Sequence, residues 1–495
     1  MMGSSKSGKD GHAFEFIHTR IVVVRPTRYK NNTIDWMEWS DQGKRLTYGT
    51  LKEVICGATS GPNTVPLHGG LPPDEGLPIQ SMTLKLYNGD SVEIPVAMGQ
   101  QQYNVPAVGY EPLRSWCEAH TRRKHGVRDG ADTTTMVTDS TTHAMDAVTS
   151  VLMNPGDSIL IEEYTYCHFT DCTVERQGYQ PLSVPMDEDG ITPEGLEKVI
   201  LDRIELSKRA DLGSCEASAT RTNGSVETQE EATERSQKLI PRVLYIIPTA
   251  QNPTGCSYSE SRRREIYAIC QRHNIIIIED DPYYYLQFNL DELDAQPGLH
   301  GLTSHSFLPI DVDGRVVRLD SFAKFLAPGF RLGWATGPRS IINKMAMKIH
   351  SATLGGNMMC QSIVSSILLH WGDTGLDAYA ARMQGLYATR AASALASLEK
   401  HMKDFAVWRT PVGGMFVWIR LIHVDDAREF FQSLKESGVM VMPGHVSLAE
   451  KTDAKGNPKR CPHIRISFSY VSAEAIAEGV RRIAEVYKLK YGIIQ

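Results

Sequence analysis

Short apolar runs alternate with longer amphipathic stretches through the middle of this 495-residue chain. Runs of this length are typical of strands that neighbouring layers bury on both faces. The stretches between them repeat apolar residues at helical spacing, as residues 259–274 do. The runs lie at 158–162, 243–247, 275–278 and 316–319. This alternation predicts an α/β fold, in which a mostly parallel sheet is covered by helices.

The pattern changes beyond residue 341, where helical spacing dominates before short strands return. A long helical stretch covers residues 377–400. Strand signals then lie at 413–419, 439–442 and 463–469, and helical signals at 427–437 and from residue 473 onward. Short strands interspersed with helices predict a second, smaller α+β domain.

We expect the chain to divide into three parts, because it is too long for one ordinary domain. Residues 1–104 would form an N-terminal arm and part of the small domain, 105–355 the large domain, and 356–495 the C-terminal small domain. Residues 205–240 include a small, polar segment without aromatic residues at 213–225. Such a segment buries too little apolar area to order itself, so we expect a disordered insertion at 205–240.

Composition excludes several classes of partner. Hydrophobic residues make up 41% of the chain and charged residues 22%, with a formal net charge of -6. This charge does not favour nucleic acid or an acidic membrane surface, and no apolar run approaches the ~20 residues that span a bilayer. The nine cysteines are dispersed without metal-binding spacing. We therefore expect a cytoplasmic protein with reduced thiols and no metal site.

Polar or aromatic side chains follow each of the four predicted strands. In chain order they are Tyr166, Asn252, Asp280 with Tyr283, and Ser321 with Lys324. The ligand crevice of an open parallel sheet lies at the carboxyl ends of its strands, so we expect these groups to share one site. At this position Tyr166 would either stack on a flat ligand or pack into the core, and the pattern leaves both open.

Lys324 is the candidate nucleophile. An ammonium just beyond a buried strand loses hydration, which lowers its pKa and makes it a better amine nucleophile. Such lysines commonly form a Schiff base with a carbonyl or with pyridoxal phosphate. Ser321 and Arg331 would then bind the phosphate, with Pro328 and Gly329 interrupting any regular helix between Lys324 and Arg331. The alternative is an ordinary surface lysine beside a loop.

Two further features suggest anion binding. Thr141 and Thr142 follow a short predicted strand at 135–138 and begin a helix, whose free N–H groups favour an anion, although a simple helix cap explains them too. Arg465 lies in the middle of a predicted strand between apolar neighbours. A buried guanidinium needs an anionic partner. That partner would be a substrate carboxylate, held by two hydrogen bonds, or an internal Asp or Glu.

Taken together, these motifs resemble the fold-type-I pyridoxal-phosphate-dependent aminotransferases. The motifs are Pro248–Gly255, Asp280–Tyr283 and Ser321-x-x-Lys324 followed by Arg331. Further segments are similar to the branch that contains kynurenine/2-aminoadipate aminotransferases and fungal aromatic-amino-acid aminotransferases: Gly69–Pro72, Glu279–Tyr284, Gly413–Phe416 and Ile464–Phe468. The resemblance covers about Leu67 to Leu489. It implies fold type I, with a large sheet domain and a smaller α+β domain.

The resemblance also implies roles for individual residues. Lys324 resembles the Schiff-base lysine and proton carrier, and Asp280 the partner of the pyridine nitrogen. Asn252 and Tyr283 resemble groups bound to the ring hydroxyl, and Tyr166 the stacking residue. Thr141, Thr142, Ser321 and Arg331 resemble the phosphate-binding group, and Tyr103 a tyrosine that reaches the neighbouring subunit's phosphate in a homodimer. Arg465 resembles the arginine that binds the substrate α-carboxylate, and Asn252 would also contact the substrate. Phe416 and Tyr103, with the loop at Gly69 and Gly70, would line the pocket for the substrate side chain.

The expected activity is transfer of an amino group from an L-amino acid to a 2-oxo acid such as 2-oxoglutarate. The donor would be aromatic, or else 2-aminoadipate or kynurenine. The alternative is a lyase or cyclase with the same cofactor that acts on a modified amino acid in specialised metabolism. A regulator with an aminotransferase-like domain would need an N-terminal DNA-binding unit, and the first sixty residues are too few and irregular for one.

Overall fold

A computed structural model describes residues 37–48, 65, 67, 70–96, 98–102, 106–128, 130–217 and 229–492. The predicted Tyr103 lies outside the described residues. The strands are β1 (Met82–Lys85), β2 (Ser91–Ile94), β3 (Thr133–Thr138), β4 (Ser158–Glu162), β5 (Gln180–Val184), β6 (Met186–Asp187), β7 (Gly190–Ile191), β8 (Val243–Ile246), β9 (Ile276–Asp280), β10 (Val316–Ser321), β11 (Gly333–Pro338), β12 (Ala406–Trp408), β13 (Phe416–Leu421), β14 (Met442–Pro443) and β15 (His463–Ser467).

The helices range from three-residue turns to a 45-residue element. They are α1 (Asp41–Arg45), α2 (Met98–Gln101), α3 (Glu111–His125), α4 (Thr141–Leu152), α5 (Cys167–Phe169), α6 (Pro193–Ala217), α7 (Gln229–Gln237), α8 (Glu260–Arg272), α9 (Arg339–Thr353), α10 (Met358–Met402), α11 (Arg428–Glu436) and α12 (Ala473–Tyr491). Gly372 has non-helical backbone angles, so α10 consists of two helices joined at a kink. Among the described residues, no helix is long and apolar enough to cross a membrane.

The central sheet has seven strands in the order β3-β11-β10-β9-β8-β4-β5. Strands β10, β9, β8, β4 and β5 pair in parallel, and β11 runs antiparallel between β3 and β10. Successive residues of β4 enter different apolar cores, because Ile159 and Ile161 face one side of the sheet and Leu160 faces the other. Burial on both faces explains the continuous apolar runs and confirms the predicted α/β fold.

The C-terminal part forms a second, antiparallel sheet in the order β12-β13-β15-β14. Helix α12 packs against α10 and α11 beside this sheet. Its residues Val480 and Ile483 join the same apolar core as Ile464 and Ile466 of β15. This agrees with the smaller α+β unit expected from the sequence, whereas the domain boundaries near residues 104 and 355 stay predictions.

The expected disorder at 205–240 is wrong for much of that range. Helix α6 continues to Ala217, and α7 covers Gln229–Gln237, while residues 218–228 lie outside the described residues. The residues before the polar segment include Glu205, Leu206 and Arg209, which have high helix propensity. Arg209 also pairs with Glu205 one turn earlier, at 3.1 Å. Local helix propensity therefore outweighs the lack of apolar area.

Candidate active site

A cavity of about 450 Å³ lies at the carboxyl ends of the parallel strands. Eleven of the predicted site residues line it: Thr141, Thr142, Tyr166, Asn252, Asp280, Tyr283, Ser321, Lys324, Arg331, Phe416 and Arg465. Gly70 does not line it; this residue is exposed, and a Cβ built on it would meet no atom within 4 Å. The strand ends thus converge as the topology requires, and the role of Gly70 stays a prediction.

Lys324 lies three residues beyond the end of β10, on a turn at the edge of the cavity. Burial lowers its pKa, and the positive charges of Arg331 and Arg465 lower it further, whereas Asp280 acts in the opposite direction. A lowered pKa increases the fraction of neutral amine at physiological pH. The structure therefore places an amine with a lowered pKa on the cavity, and the role of Lys324 as the nucleophile stays a prediction.

Asp280 ends β9, and both of its oxygens are buried. Oδ2 accepts a 2.7 Å hydrogen bond from the hydroxyl of Tyr245. Oδ1 has no hydrogen-bond partner among the described residues. Burial raises the pKa of Asp280 to about 7, although the hydrogen bond from Tyr245 opposes this shift. A buried oxygen without a partner is rare unless a ligand satisfies it, so Oδ1 fits the protonated ring nitrogen of a heterocycle.

Arg465 reaches the cavity from β15 of the small sheet. Its Nη1 donates a 2.5 Å hydrogen bond to Oδ1 of Asn252, while its buried Nε has no hydrogen-bond partner among the described residues. Its guanidinium carbon lies 3.9 Å from the centroid of the Phe416 ring. No described Asp or Glu forms an ion pair with it. Arg465 therefore keeps donors for an external carboxylate, and Phe416 supports the plane of its guanidinium.

Ser140 and Arg331 form a polar corner of the cavity where α4 begins. Ser140 precedes the helix with φ 94°, and its hydroxyl accepts a 2.7 Å hydrogen bond from Nη2 of Arg331. Arg331 itself has φ 50°, which turns the chain after the short 3₁₀ turn at Pro328–Phe330. Gly333 allows β11 to approach β10 and the start of α4, because a Cβ there would lie 2.5 Å from the backbone oxygen of Asp320 and 3.3 Å from the backbone nitrogen of Thr141. Free helix N–H groups beside a guanidinium suit a phosphate.

Tyr166 combines the two alternatives that the sequence left open. It is half-buried, packs against the main apolar core and also lines the cavity. Tyr166 lies in the loop that follows β4, where part of its ring lines the cavity, and its role in stacking on a flat ligand stays a prediction.

Sequence reasoning missed three groups of the site. Ser140, which precedes the helix start at Thr141, was not among the predicted site residues, yet its hydroxyl accepts a hydrogen bond from Arg331. Tyr245 lies inside an apolar run, which predicts a core residue, although its hydroxyl donates a hydrogen bond to Asp280. Met442 lines the cavity from β14. A tyrosine flanked by aliphatic residues in a buried strand is the one signal that would have indicated a buried hydrogen-bond partner for Tyr245.

Comparison with known proteins identifies the family. The profile of the family described as Aminotransferase class I and II matches residues 111–483, which is most of the chain. The chain therefore belongs to the class I and II aminotransferases. It is a pyridoxal-phosphate-dependent enzyme that transfers amino groups. The comparisons do not favour the lyase or cyclase alternative.

Individual relatives of this aminotransferase are similar over three quarters or more of their own length. The mitochondrial kynurenine/alpha-aminoadipate aminotransferase of Bos taurus is 28% identical over 454 residues, which cover 90% of this chain and 96% of the bovine one. An aromatic amino acid aminotransferase of Schizosaccharomyces pombe is 30% identical, over 78% of this chain and 77% of its own. The crystal structure of aminotransferase Aro8 from Candida albicans is 25% identical with a TM-score of 0.75, and the match covers 94% of this chain and 100% of that chain.

Proposed function

We propose that this aminotransferase takes its amino group preferentially from an aromatic L-amino acid and passes it to 2-oxoglutarate, with kynurenine and 2-aminoadipate as secondary donors. The observation that carries the proposal is the convergence of Lys324, Asp280 and Arg465 on one cavity. The apolar surfaces of Ile247, Phe416 and Met442 on the same cavity would suit an aromatic side chain. The names of the bovine and fission-yeast relatives support the same donor classes.

The residues of this chain would hold the cofactor at three points. Arg331, Ser140 and the first N–H groups of α4 would bind the phosphate. Asp280 would accept a hydrogen bond from the ring nitrogen through its unpartnered Oδ1. Tyr283 and Asn252 would bind the ring hydroxyl, and Tyr166 would lie on the ring face. The bound cofactor would supply an electron-accepting ring, because Asp280 keeps its nitrogen protonated.

Lys324 and Arg465 would then act on the amino acid. Arg465 would bind the α-carboxylate through its free donors, while Asn252 and Phe416 fix the guanidinium on two sides. The neutral amine of Lys324 would move a proton between the substrate α-carbon and C4′ of the cofactor. Its lowered pKa suits this work, because a base is most effective when its pKa is close to the working pH.

A donor panel tests the substrate proposal. Purified enzyme would be supplied with 2-oxoglutarate and one donor at a time: tyrosine, phenylalanine, tryptophan, kynurenine, 2-aminoadipate or aspartate. We expect glutamate to form with the highest kcat/KM from an aromatic donor. A higher kcat/KM for aspartate than for every aromatic donor would contradict the proposal.

We also propose that the enzyme works as a homodimer in the cytoplasm. The motif around Tyr103 supports a shared site, in which this residue reaches the partner's cofactor phosphate. The free state of the described cysteines supports a reducing compartment, although the bovine relative is named mitochondrial. Light scattering during size-exclusion chromatography tests the dimer, and imaging of a fluorescent fusion tests the location; a monomer or a mitochondrial signal would contradict them.

A further inference from the structure

Arg318 lies on the rear face of the sheet, behind the cavity, and contacts three carboxylates. Its Nη1 lies 2.9 Å from Oε1 of Glu279 and 3.0 Å from Oδ2 of Asp281. Its Nε and Nη2 bind the two oxygens of Asp320 at 3.0 and 2.8 Å. None of these four side chains is exposed. One guanidinium therefore contacts three buried carboxylates: Glu279 of β9, Asp281 directly after β9, and Asp320 of its own strand.

The alternation of β9 connects this cluster to the active site. Glu279 and Asp281 flank Asp280, and successive side chains of a strand point to opposite faces. The flanking pair points back to Arg318, while Asp280 points forward with Oδ2 on Tyr245 and Oδ1 unpartnered. The strands are in register, since Leu319 of β10 pairs with Asp280 and Arg318 pairs with Glu279.

The cluster also sets the charge around Asp280. Asp281 and Asp320 repel a negative charge on Asp280, whereas Arg318 favours it, so without Arg318 the pKa of Asp280 would rise further. The titratable groups facing Asp280 from the surrounding elements are Tyr166 after β4, Tyr245 on β8, Asp281 and Tyr283 at the end of β9, and Arg318, Asp320 and Lys324 on or after β10. Among these, Arg318 is the cation closest to the carboxylates beside Asp280.

We propose that Arg318 is a positioning residue of this enzyme: it holds Glu279 and Asp281 on the rear face so that Asp280 presents an ionised carboxylate to the cofactor ring. The proposal rests on the role proposed for Asp280. Arg318 does not line the cavity and would act only through the strand and its charge. Two further hydrogen bonds hold the flanking carboxylates: Thr249 donates to Asp281 at 3.1 Å, and Ser306 donates to Glu279 at 2.7 Å.

The test measures the dissociation constant of pyridoxal phosphate across pH for cofactor-free wild type, Arg318→Met, Arg318→Lys and Asp320→Asn. Comparison with wild type at each pH cancels the ionisation of the free cofactor. Arg315→Met is the matched control, because Arg315 is also a buried arginine near the start of β10 and binds Asp313 at 2.8 Å. It lies at the opposite end of the strand from the cavity.

We expect Arg318→Met to bind the cofactor about fivefold more weakly, or worse, at pH 7, which corresponds to a rise of one unit in the pKa of Asp280 from its value of about 7. The pH midpoint of binding should move upward. Arg318→Lys should lose less affinity because it keeps the charge, and Arg315→Met should bind like wild type. Asp320→Asn removes a negative neighbour of Asp280, so its midpoint should move downward.

The pH midpoint of binding is expected to move upward in Arg318→Met and downward in Asp320→Asn. These opposite directions distinguish an effect of charge from general damage to the fold. Equal affinity and midpoint in folded Arg318→Met and Arg315→Met would overturn the proposal, as would an upward midpoint in Asp320→Asn. If Arg318→Met does not fold, Arg318→Lys and Asp320→Asn decide the matter by the same criteria. Failure of Asp280→Asn to weaken binding would instead overturn the role proposed for Asp280, so the two failures are distinguishable.

Discussion

The hydroxyl of Tyr245 donates a 2.7 Å hydrogen bond to Oδ2 of Asp280, and both side chains are buried. Tyr245 lies on β8 and Asp280 on β9, which are adjacent parallel strands. The bond occupies one carboxylate oxygen and leaves the other, Oδ1, for the cavity. A residue within an apolar strand thus orients the group that would bind the cofactor ring.

Tyr245→Phe should weaken pyridoxal phosphate binding about tenfold, because a hydrogen bond to a charged group contributes about 1.5–3 kcal/mol. Its loss raises the pKa of Asp280 and frees the carboxylate to rotate. Fluorescence titration of the cofactor-free protein measures the change. Tyr258→Phe is the control, because the Tyr258 hydroxyl donates to buried Glu162 at 2.8 Å. An equal loss of affinity in both variants would contradict the specific role of Tyr245.

The free energy of unfolding of the cofactor-free protein should depend on pH through the titration of Asp280. Burial raises its pKa from 3.8 to about 7, so between these values the folded state holds a proton that the unfolded state has lost. Stability should therefore fall as pH rises through this window, by about 1.4 kcal/mol per pH unit, and level off above it. Urea unfolding of wild type and Asp280→Asn at several pH values measures the difference between them. A difference that does not change with pH would contradict the shift.

Arg331→Met should weaken binding of pyridoxal phosphate about tenfold or more and leave binding of pyridoxal, which has no phosphate, nearly unchanged. The reason is that Arg331 and Ser140 form a corner for an anion beside the start of α4. Titration of both ligands measures the two constants. Arg339→Met, which removes an exposed arginine paired with Asp132 at 2.7 Å, is the control. Equal losses of affinity for pyridoxal phosphate and for pyridoxal would indicate that the phosphate binds elsewhere.

Arg465→Lys should lower kcat/KM for tyrosine about a hundredfold, or roughly 2.7 kcal/mol. Lysine keeps the charge but loses both the planar fork and the contact with Phe416. The same loss should appear with 2-oxoglutarate, because both substrates carry the α-carboxylate. Steady-state kinetics measure it. Arg382→Lys is the control and should have no effect on kcat/KM; it changes an arginine whose guanidinium carbon lies 4.7 Å from the centroid of the Tyr87 ring. A loss of kcat/KM in Arg465→Lys for only one of the two substrates would contradict the assignment of Arg465 to the α-carboxylate.

The fold was predictable where burial on both faces dictates the sequence. The run at 158–162 coincides with β4, and the runs at 243–247 and 316–319 lie within two residues of β8 and β10. Strand β11 was not predicted, because Gly333, Thr336, Gly337 and Pro338 interrupt its apolar pattern. Strand β11 is positioned by antiparallel pairing with β3 and β10, and the local sequence pattern does not predict such pairing.

The site was predictable where chemistry follows a strand end. Asp280 ends a buried strand, and Lys324 and Asn252 lie in the loops that follow buried strands, so topology alone brings them together. Tyr245 and Arg318 were not predicted as part of it, because both lie inside strands and act through the neighbouring strand. Arg465 was found from its unusual position, and its actual partner, Asn252, depended on how the two sheets meet.

The most direct test of the account is amino transfer by Lys324→Ala. Wild type, Lys324→Ala and a control, Lys344→Ala, would be incubated with tyrosine, 2-oxoglutarate and pyridoxal phosphate, and glutamate would be measured. Lys344 donates to the backbone oxygen of Leu46 at 2.8 Å and does not line the cavity, so its variant should keep wild-type activity. We expect no detectable glutamate from folded Lys324→Ala, and glutamate formation at the wild-type rate would contradict the role proposed for Lys324.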